Sequence, residues 1–398
     1  MRILIGTDTY YPHANGASYF TQRLARGMVD AGHEVLVICP SDSIKNHYTE
    51  HNGVKMFGIR SIPVMFYKDF RFAPPGFITK AIDEVVTDFK PDVVHIQSHF
   101  FVSRVVLDVA QAHGLPTVGT NHFMPDNFLP LFPVAKGTVR KLGWDAMKKV
   151  FVRFDVVTTP TESAAKLLKS VGFPKPVEAI SCGIDLKRFT AGPKDHALQK
   201  RLKLRDDLPT FLFVGRVDKD KRIDVIIQGF AKARAKAPMQ FAVAGRGPER
   251  ETLAKLAESL GVADDVHLLG FVPDVDLPAF YRLGDAFIAA SIAELQSIVT
   301  LEAMASGLPV IGANAVALPE LAQPGKNGFL FEPNDTDQLA EHMITLANDP
   351  ALRAKYGKAS LQIVQAHDFP DTIRKYVAAY QRAIDMVNAA KPSATIAA

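Results

Sequence analysis

Only two cysteines, Cys39 and Cys182, occur in the 398 residues. They stand far apart with no second cysteine near either, which excludes a disulfide framework and every CxxC-type metal or redox motif, and makes a reducing compartment the simplest setting. Long hydrophobic runs are missing too. The best uncharged stretch, Ala303 to Pro319, is broken by Gly307, Pro309 and Gly312 and falls short of the roughly 20 apolar residues of a spanning helix. The start, MRILIGTDTYYPH, runs directly into a strand-like segment without the apolar core of a signal peptide, so a cytoplasmic chain is expected. A strong excess of one charge is absent: 46 Lys and Arg against 42 Asp and Glu leave +4, too little to suggest nucleic acid as a partner. What asymmetry exists favours the first half, with 22 basic against 17 acidic residues in 1–190. Any anionic surface contact is therefore expected there.

What is present is ordinary globular composition, 47% hydrophobic and 22% charged, at a length that suits two or three domains. Short aliphatic runs alternate with amphipathic stretches: RILIGT (2–7), FTQRLARGMVDAG (20–32), HEVLVICP (33–40), then DVVHI (92–96) and TVGT (117–120). Strands without polar alternation are what a parallel sheet covered on both faces requires. The rhythm restarts after the Lys-rich interval 191–209, with strands TFLFVGR (210–216), QFAVAGRG (240–247), DVHLLG (265–270), AFIAAS (286–291), LPVIGA (308–313) and GFLFEP (328–333). Residues 335–390 read as helices and 391–398 as a frayed tail. The fold expected is α/β, two Rossmann-like doubly wound domains facing a cleft, with ligands at the carboxyl ends of the strands.

No GxxxxGK[ST] occurs and no GxGxxG follows the first strand, which disfavours a P-loop nucleotidase and a dinucleotide oxidoreductase. The DxD triplets Asp218-Lys219-Asp220 and Asp274-Val275-Asp276 allow a metal-diphosphate reading, but acidic pairs beside turn residues are common in solvated loops, which is the simpler explanation, and no metal is assigned. The sharper signal is SIAELQSIVTLEAMASG (291–307). Glu294 and Glu302 flank a nearly uncharged segment that enters a helix around Ile298, and an uncharged helix N-terminus attracts anions. The two carboxylates suit sugar or ribose hydroxyls instead. A buried helix with one capping Glu is the competing reading. Arg216, at the end of a strand, and Lys221 form a second cluster suited to a diphosphate, against the alternative of a solvated charged loop.

Together GRVDKDKR (215–222), GRGPE (245–249), GFVPDVDLPAFY (270–281) and above all ELQSIVTLEAMASGLPVI (294–311) resemble the signature blocks of family-4 retaining glycosyltransferases of the GT-B fold. TDTYYPHANG (7–16), AGHEVLVICP (31–40), PDVVHIQ (91–97) and PTVGTNHFMPDNF (116–128) extend the resemblance over almost the whole chain, and the blocks TNHFMPDN, ELQSIVTLEA and LPEL resemble bacterial enzymes acting on diacylglycerol-type lipids. The resemblance implies that Arg216 and Lys221 neutralise the diphosphate of a UDP- or GDP-hexose. It further implies that Glu302 holds the ribose, Glu294 contacts the sugar, and backbone amides of Gln296, Ser297 and Ile298 bind sugar and phosphate. Gly16 would admit the donor closely, and His122 would be the active-site histidine. No cofactor beyond the donor is implied. The chain departs from the family at Asn15-Gly16, at Gln97 where a His is frequent, and at 314–320, NAVALPE, where two glycines usually precede the PE. The domains expected are 1–190 for the acceptor and 191–375 for the nucleotide sugar, with 376–398 crossing back to the first.

The acceptor is approached through residues 130–154. Read as a helix from about Val134, they place Val139, Leu142, Met147, Val150 and Phe154 on one side and Lys136, Arg140, Trp144 and Lys148 on another, with Lys141 and Lys149 adding charge. That pattern suits either an anionic membrane surface or a helix packed on its own domain. The run 62–67 with Lys68 and Arg71 adds to the membrane case. A peripheral enzyme glycosylating a lipid is the first expectation; a transferase for soluble acceptors and a GT-B-fold nucleotide-sugar epimerase are the alternatives.

Overall fold

Two sheets hold the aliphatic runs. The structure, a computed structural model, describes residues 1–12, 16–64, 71–126, 129 and 136–390; the tail 391–398, Asn15 and the run 65–68 lie outside them. Contacts divide the chain into Met1–Pro125, Val134–Cys182 and Pro370–Ala398 on one hand, and Asp126–Pro133 with Gly183–Phe369 on the other. The unit changes at Cys182–Gly183 and at Phe369–Pro370, where the sequence reading put 190 and 375.

In the first unit the strand order is Glu178–Ala179, Val156–Thr159, Thr117–Thr120, Val93–Ile96, Arg2–Gly6, Glu34–Pro40, Val54–Ile59, His47–His51. All pairings within this sheet are parallel except that of the exposed edge strand His47–His51; a separate short antiparallel pair joins Ile62–Pro63 to Arg71–Phe72. Ile3, Leu4, Ile5, Val93, Val94 and Ile96 are fully buried, which explains why these strands carry no polar alternation. The chain winds from Arg2–Gly6 to one side, then returns to Val93–Ile96 on the other, so the topological switch lies between these two strands. Asp8, just past the first, accepts from the Val102 amide (2.8 Å) and so ties that strand end to the helix Phe101–Ala112.

The helix Phe369–Ala390 packs on this unit through Ile373, Tyr376, Ala379, Tyr380 and Ala383, an apolar stripe at helical spacing. Thr372 donates to the Ser181 carbonyl (2.9 Å), and Arg382 pairs with Glu178.

In the second unit six parallel strands are ordered Val266–Gly270, Gln240–Ala244, Thr210–Val214, Ala286–Ala289, Val310–Ala313, Gly328–Phe331. The switch falls between Thr210–Val214 and Ala286–Ala289. Just past the first of these the backbone closes on itself. The Gly215 amide donates to Ala244 O (3.0 Å), Val217 to Arg246 O (2.9 Å) and Gly245 to Gly270 O (2.7 Å). A Cβ at Gly245 would lie 1.7 Å from the Gly215 carbonyl oxygen, and one at Gly247 2.0 Å from that of Val217. Gly245 also sits at φ 155°, a region open essentially to glycine.

Gly245→Ala is therefore expected to lower the stability of the second unit by about 2 kcal/mol or more. Gly137→Ala, where a Cβ meets nothing within 4 Å, is the control expected to leave the melting temperature unchanged or slightly raised. Calorimetric melting of both checks this, and a harmless Gly245→Ala would disprove the interlock.

Candidate donor and acid–base sites

The second unit gathers charge at its switch point. Arg216 follows Gly215 out of the strand and pairs with Asp218 (3.0 Å) and Asp220 (3.5 Å), its side chain 46% exposed. Asp218 opens a short 3-10 turn, Lys219–Lys221, by accepting from the Lys219 amide (2.9 Å), and that turn swings Lys221 toward the neighbouring strand end. There the Lys221 ammonium meets Glu294 (2.5 Å) and Asp220 (3.1 Å). Burial alone would lower its affinity for the proton; the Glu294 and Asp220 carboxylates outweigh that and hold it above the ordinary lysine value. The triplet 218–220 thus serves the two cations. Asp276, from the other triplet, pairs with Arg201.

Glu294 is held at both ends, its carboxylate by Lys221 and its carbonyl by the Ala317 amide (3.3 Å). Next to Ala317, Val316 has φ 46°, left-handed backbone that a β-branched residue seldom adopts. This is the loop where the family's glycines are replaced. Beyond Glu294 and the half-buried Gln296, Ser297 stands just before the eight-residue helix Ile298–Ala305. Its hydroxyl accepts from Thr300 Oγ1 (2.8 Å) and makes no bond to the amides behind it. The first turn, free of acidic side chains, therefore keeps its amide dipole for an anion. One turn on, Glu302 accepts from the hydroxyl of fully buried Tyr281 (2.8 Å). Burial, then Glu302, pushes that phenol far above its usual range, so Tyr281 stays a donor and fixes the carboxylate.

In the first unit His122 follows the strand Thr117–Thr120, and its Nε2 lies 2.9 Å from Gln97 Oε1. Burial lowers its pKa to about 4. Behind Gln97, His95 contacts Tyr380 OH through Nδ1 (2.8 Å) and Thr120 Oγ1 through Nε2 (2.7 Å). Burial, then His122, lowers His95 to about 3. His99, packed against Phe100 and Phe123, is also near 3, through burial and then Arg104. Gly16 opens the helix Gly16–Asp30, and a Cβ on it would meet no described atom within 4 Å.

The sequence model described as Glycosyltransferase Family 4 matches residues 14–188, and that described as Glycosyl transferases group 1 matches residues 195–362. The chain belongs to the family-4 glycosyltransferases. This glycosyltransferase is 28% identical over 341 residues to the alpha-monoglucosyldiacylglycerol synthase of Streptococcus pneumoniae, covering 83% of this chain and 75% of that one. It is 27% identical over 368 residues to the alpha-monoglucosyldiacylglycerol synthase of Acholeplasma laidlawii, covering 90% and 91%. Among solved structures it resembles Anabaena HepE in complex with UDP, with a TM-score of 0.78 at 19% identity over 96% and 100% of the chains, and it shares the GT-B fold.

The basic helix of the glycosyltransferase differs from its sequence reading. It spans Lys136–Phe151, and Trp144 is buried with Met147, Val150 and Phe151, its ring edge-on to Phe123 at 6.5 Å. Trp144 is thus no surface anchor, and Leu142, placed on the apolar side by the reading, is 62% exposed. The i, i+3, i+7 stripe from Trp144 sets the rotation, because an indole contributes more buried area than the leucine it displaces. Lys148 bonds the Val171 carbonyl (2.9 Å) and Asp145 (3.0 Å), while Lys136, Arg140, Lys141 and Lys149 stay on the exposed side. His95, Tyr281, Tyr376 and Tyr380 went unread. The last two stand four apart on a helical face, which was a usable signal.

Neutral buried imidazoles make stability pH-dependent. Because His95, His99 and His122 bind protons less readily folded than unfolded, their stability contribution is complete above about pH 6.5 and declines as pH falls toward 3–4, by roughly 1.4 kcal/mol per pH unit for each. The melting temperature of the first unit should drop between pH 7 and 5, and His99→Phe should flatten the slope. Calorimetry across that range decides; an identical slope in the variant would remove His99 from the account.

Proposed function

We propose that this chain is a retaining hexosyltransferase that moves a sugar from a UDP- or GDP-hexose to a diacylglycerol-type lipid at the cytoplasmic membrane face. The observation that carries the donor half is the convergence of Arg216, Lys221 and the uncapped helix at Ile298 with two carboxylates, Glu294 on Lys221 and Glu302 on the Tyr281 hydroxyl. As the bond to the anomeric carbon breaks, charge grows on the diphosphate. Arg216, Lys221 and the amides around Ser297 are preorganised for it, with no metal in the scheme. Lys221 rests on Glu294. The incoming diphosphate competes for the ammonium and frees Glu294 for a sugar hydroxyl, while Glu302, held by Tyr281, takes the ribose. In a retaining transfer the acceptor attacks the face the nucleotide leaves, so no enzymic nucleophile is assigned, and His122 serves the transferred sugar as a neutral imidazole.

Support for a lipid acceptor comes from the two diacylglycerol-glycosylating relatives and from the exposed cations Lys136, Arg140, Lys141 and Lys149 beside exposed Leu142. Among the described residues no helix is long and apolar enough to cross a membrane.

Thermal-shift screening of UDP, GDP and ADP sugars, followed by product and anomer analysis with diacylglycerol and with soluble acceptors, tests the reading. Arg216→Ala and Lys221→Ala should each cut turnover by about 100-fold or more, the scale of a lost transition-state donor; Arg216→Ala, at an exposed pair, should leave the melting temperature nearly unchanged, whereas Lys221→Ala should lower it by orphaning Glu294; near-normal turnover in both would sink the assignment.

Lys136→Glu with Lys149→Glu should abolish flotation with anionic vesicles while leaving binding of the nucleotide intact. Flotation that survives this double change would remove the helix from the membrane contact.

A further inference from the structure

Gln97 ends the strand Val93–Ile96 at the topological switch and is 1% exposed. Its side-chain nitrogen lies 3.2 Å from His95 Nδ1 and 3.1 Å from His95 Nε2. Near-equal distances to both ring nitrogens put the amide over the imidazole face, not in its plane. The in-plane positions are already taken by Tyr380 OH and Thr120 Oγ1. An N–H is attracted to the negative face of an aromatic ring and a carbonyl oxygen is repelled by it, so the amide has one favourable orientation: nitrogen toward His95, oxygen toward His122. That oxygen can only accept. The His122 nitrogen 2.9 Å away must donate.

We propose that Gln97 is a positioning residue that fixes His122 as the Nε2–H tautomer and leaves its Nδ1 as a hydrogen-bond acceptor for a substrate hydroxyl. A neutral ring carries one hydrogen, and Gln97 claims it for Nε2. Nδ1 makes no hydrogen bond among the described residues, and His122 itself is half-buried. The brace reaches further back. Tyr380 and Tyr376, fully buried on the helix Phe369–Ala390, hold His95 and Thr120 (2.8 and 3.2 Å), and Thr158 holds Thr120 (2.7 Å). The last helix therefore orients His122 through His95 and Gln97, without touching substrate. The hydroxyl at Nδ1 rests on the glycosyltransferase reading; the tautomer does not.

The test uses the full chain with 15N-labelled histidine, with His122 assigned by the loss of its signals in His122→Gln. At pH 7.5 the wild type should show Nε2 of His122 protonated and slowly exchanging and Nδ1 bare. In the near-isosteric Gln97→Met the His122 N–H signal should vanish into solvent exchange while that of His95 persists. Turnover in Gln97→Met should fall roughly 10–100-fold, as when the outer partner of a working imidazole is removed, with the donor KM little changed. A proton on Nδ1 in the wild type overturns the proposal, even where Gln97→Met does not fold. So does a Gln97→Met chain with an undisturbed His122 N–H or wild-type turnover. A wild type with the expected tautomer but no transfer from any nucleotide sugar would instead refute the enzymatic reading.

Discussion

The Gly215 carbonyl occupies the space that a side chain at residue 245 would need. Because two strand ends close against each other without side chains between them, the peptide carrying Arg216 leaves the sheet in a direction set by backbone bonds from Ala244, Arg246 and Gly270. The turn to Lys221 starts from that fixed point, and the salt bridge to Glu294 links it to the strand across the switch. A long cationic side chain loses much rotamer entropy when ordered. Here the ion pairs with Asp218, Asp220 and Glu294 already order both side chains, which reduces what is left to lose when the proposed diphosphate binds.

Charge balance constrains the same region. Two cations face three carboxylates, Asp218, Asp220 and Glu294, within ion-pair distance. Partly buried ions are tolerated when paired, and removing one partner leaves a costly orphan. An anionic ligand adds charge to a cluster already negative by one, which is unfavourable unless a carboxylate gives up its cation. The uncapped helix compensates, since the amide dipole at Ile298 is positive and faces no acidic side chain in its first turn. For the proposed diphosphate, dipole and cations therefore have to act together.

The first unit works by the opposite means. Its polar centre holds no charge: His95 and His122 are neutral by burial, and threonine, glutamine and tyrosine satisfy them. Uncharged networks cost less to bury than ion pairs, and they specify geometry when every member is satisfied. The cost is sensitivity to acid, since protonating any of these rings places a charge where burial disfavours it.

This difference explains what the sequence could reveal. The charged cluster is nearly local, Arg216 to Lys221 and Glu294 to Glu302, so residue type and spacing marked its carboxylates, cations and helix start; the doubly wound sheets were likewise legible because parallel strands carry unbroken aliphatic runs, and the resemblance added the GT-B arrangement. The pairing of Lys221 with Glu294, 73 residues apart, was not. His95 and Tyr380 are 285 positions apart, and nothing in DVVHI marks its histidine as anything but a polar interruption. Trp144 misled for a related reason. Its helix has two apolar stripes, and burial of the indole, edge-on to Phe123, decides between them. Gln97 is the instructive case: it departs from the family's usual histidine, yet an amide can present an acceptor to one imidazole and a donor to another at once. A neutral histidine has one of each, and could serve both neighbours only in a single tautomer. The substitution thus removes an ambiguity from the network that orients His122.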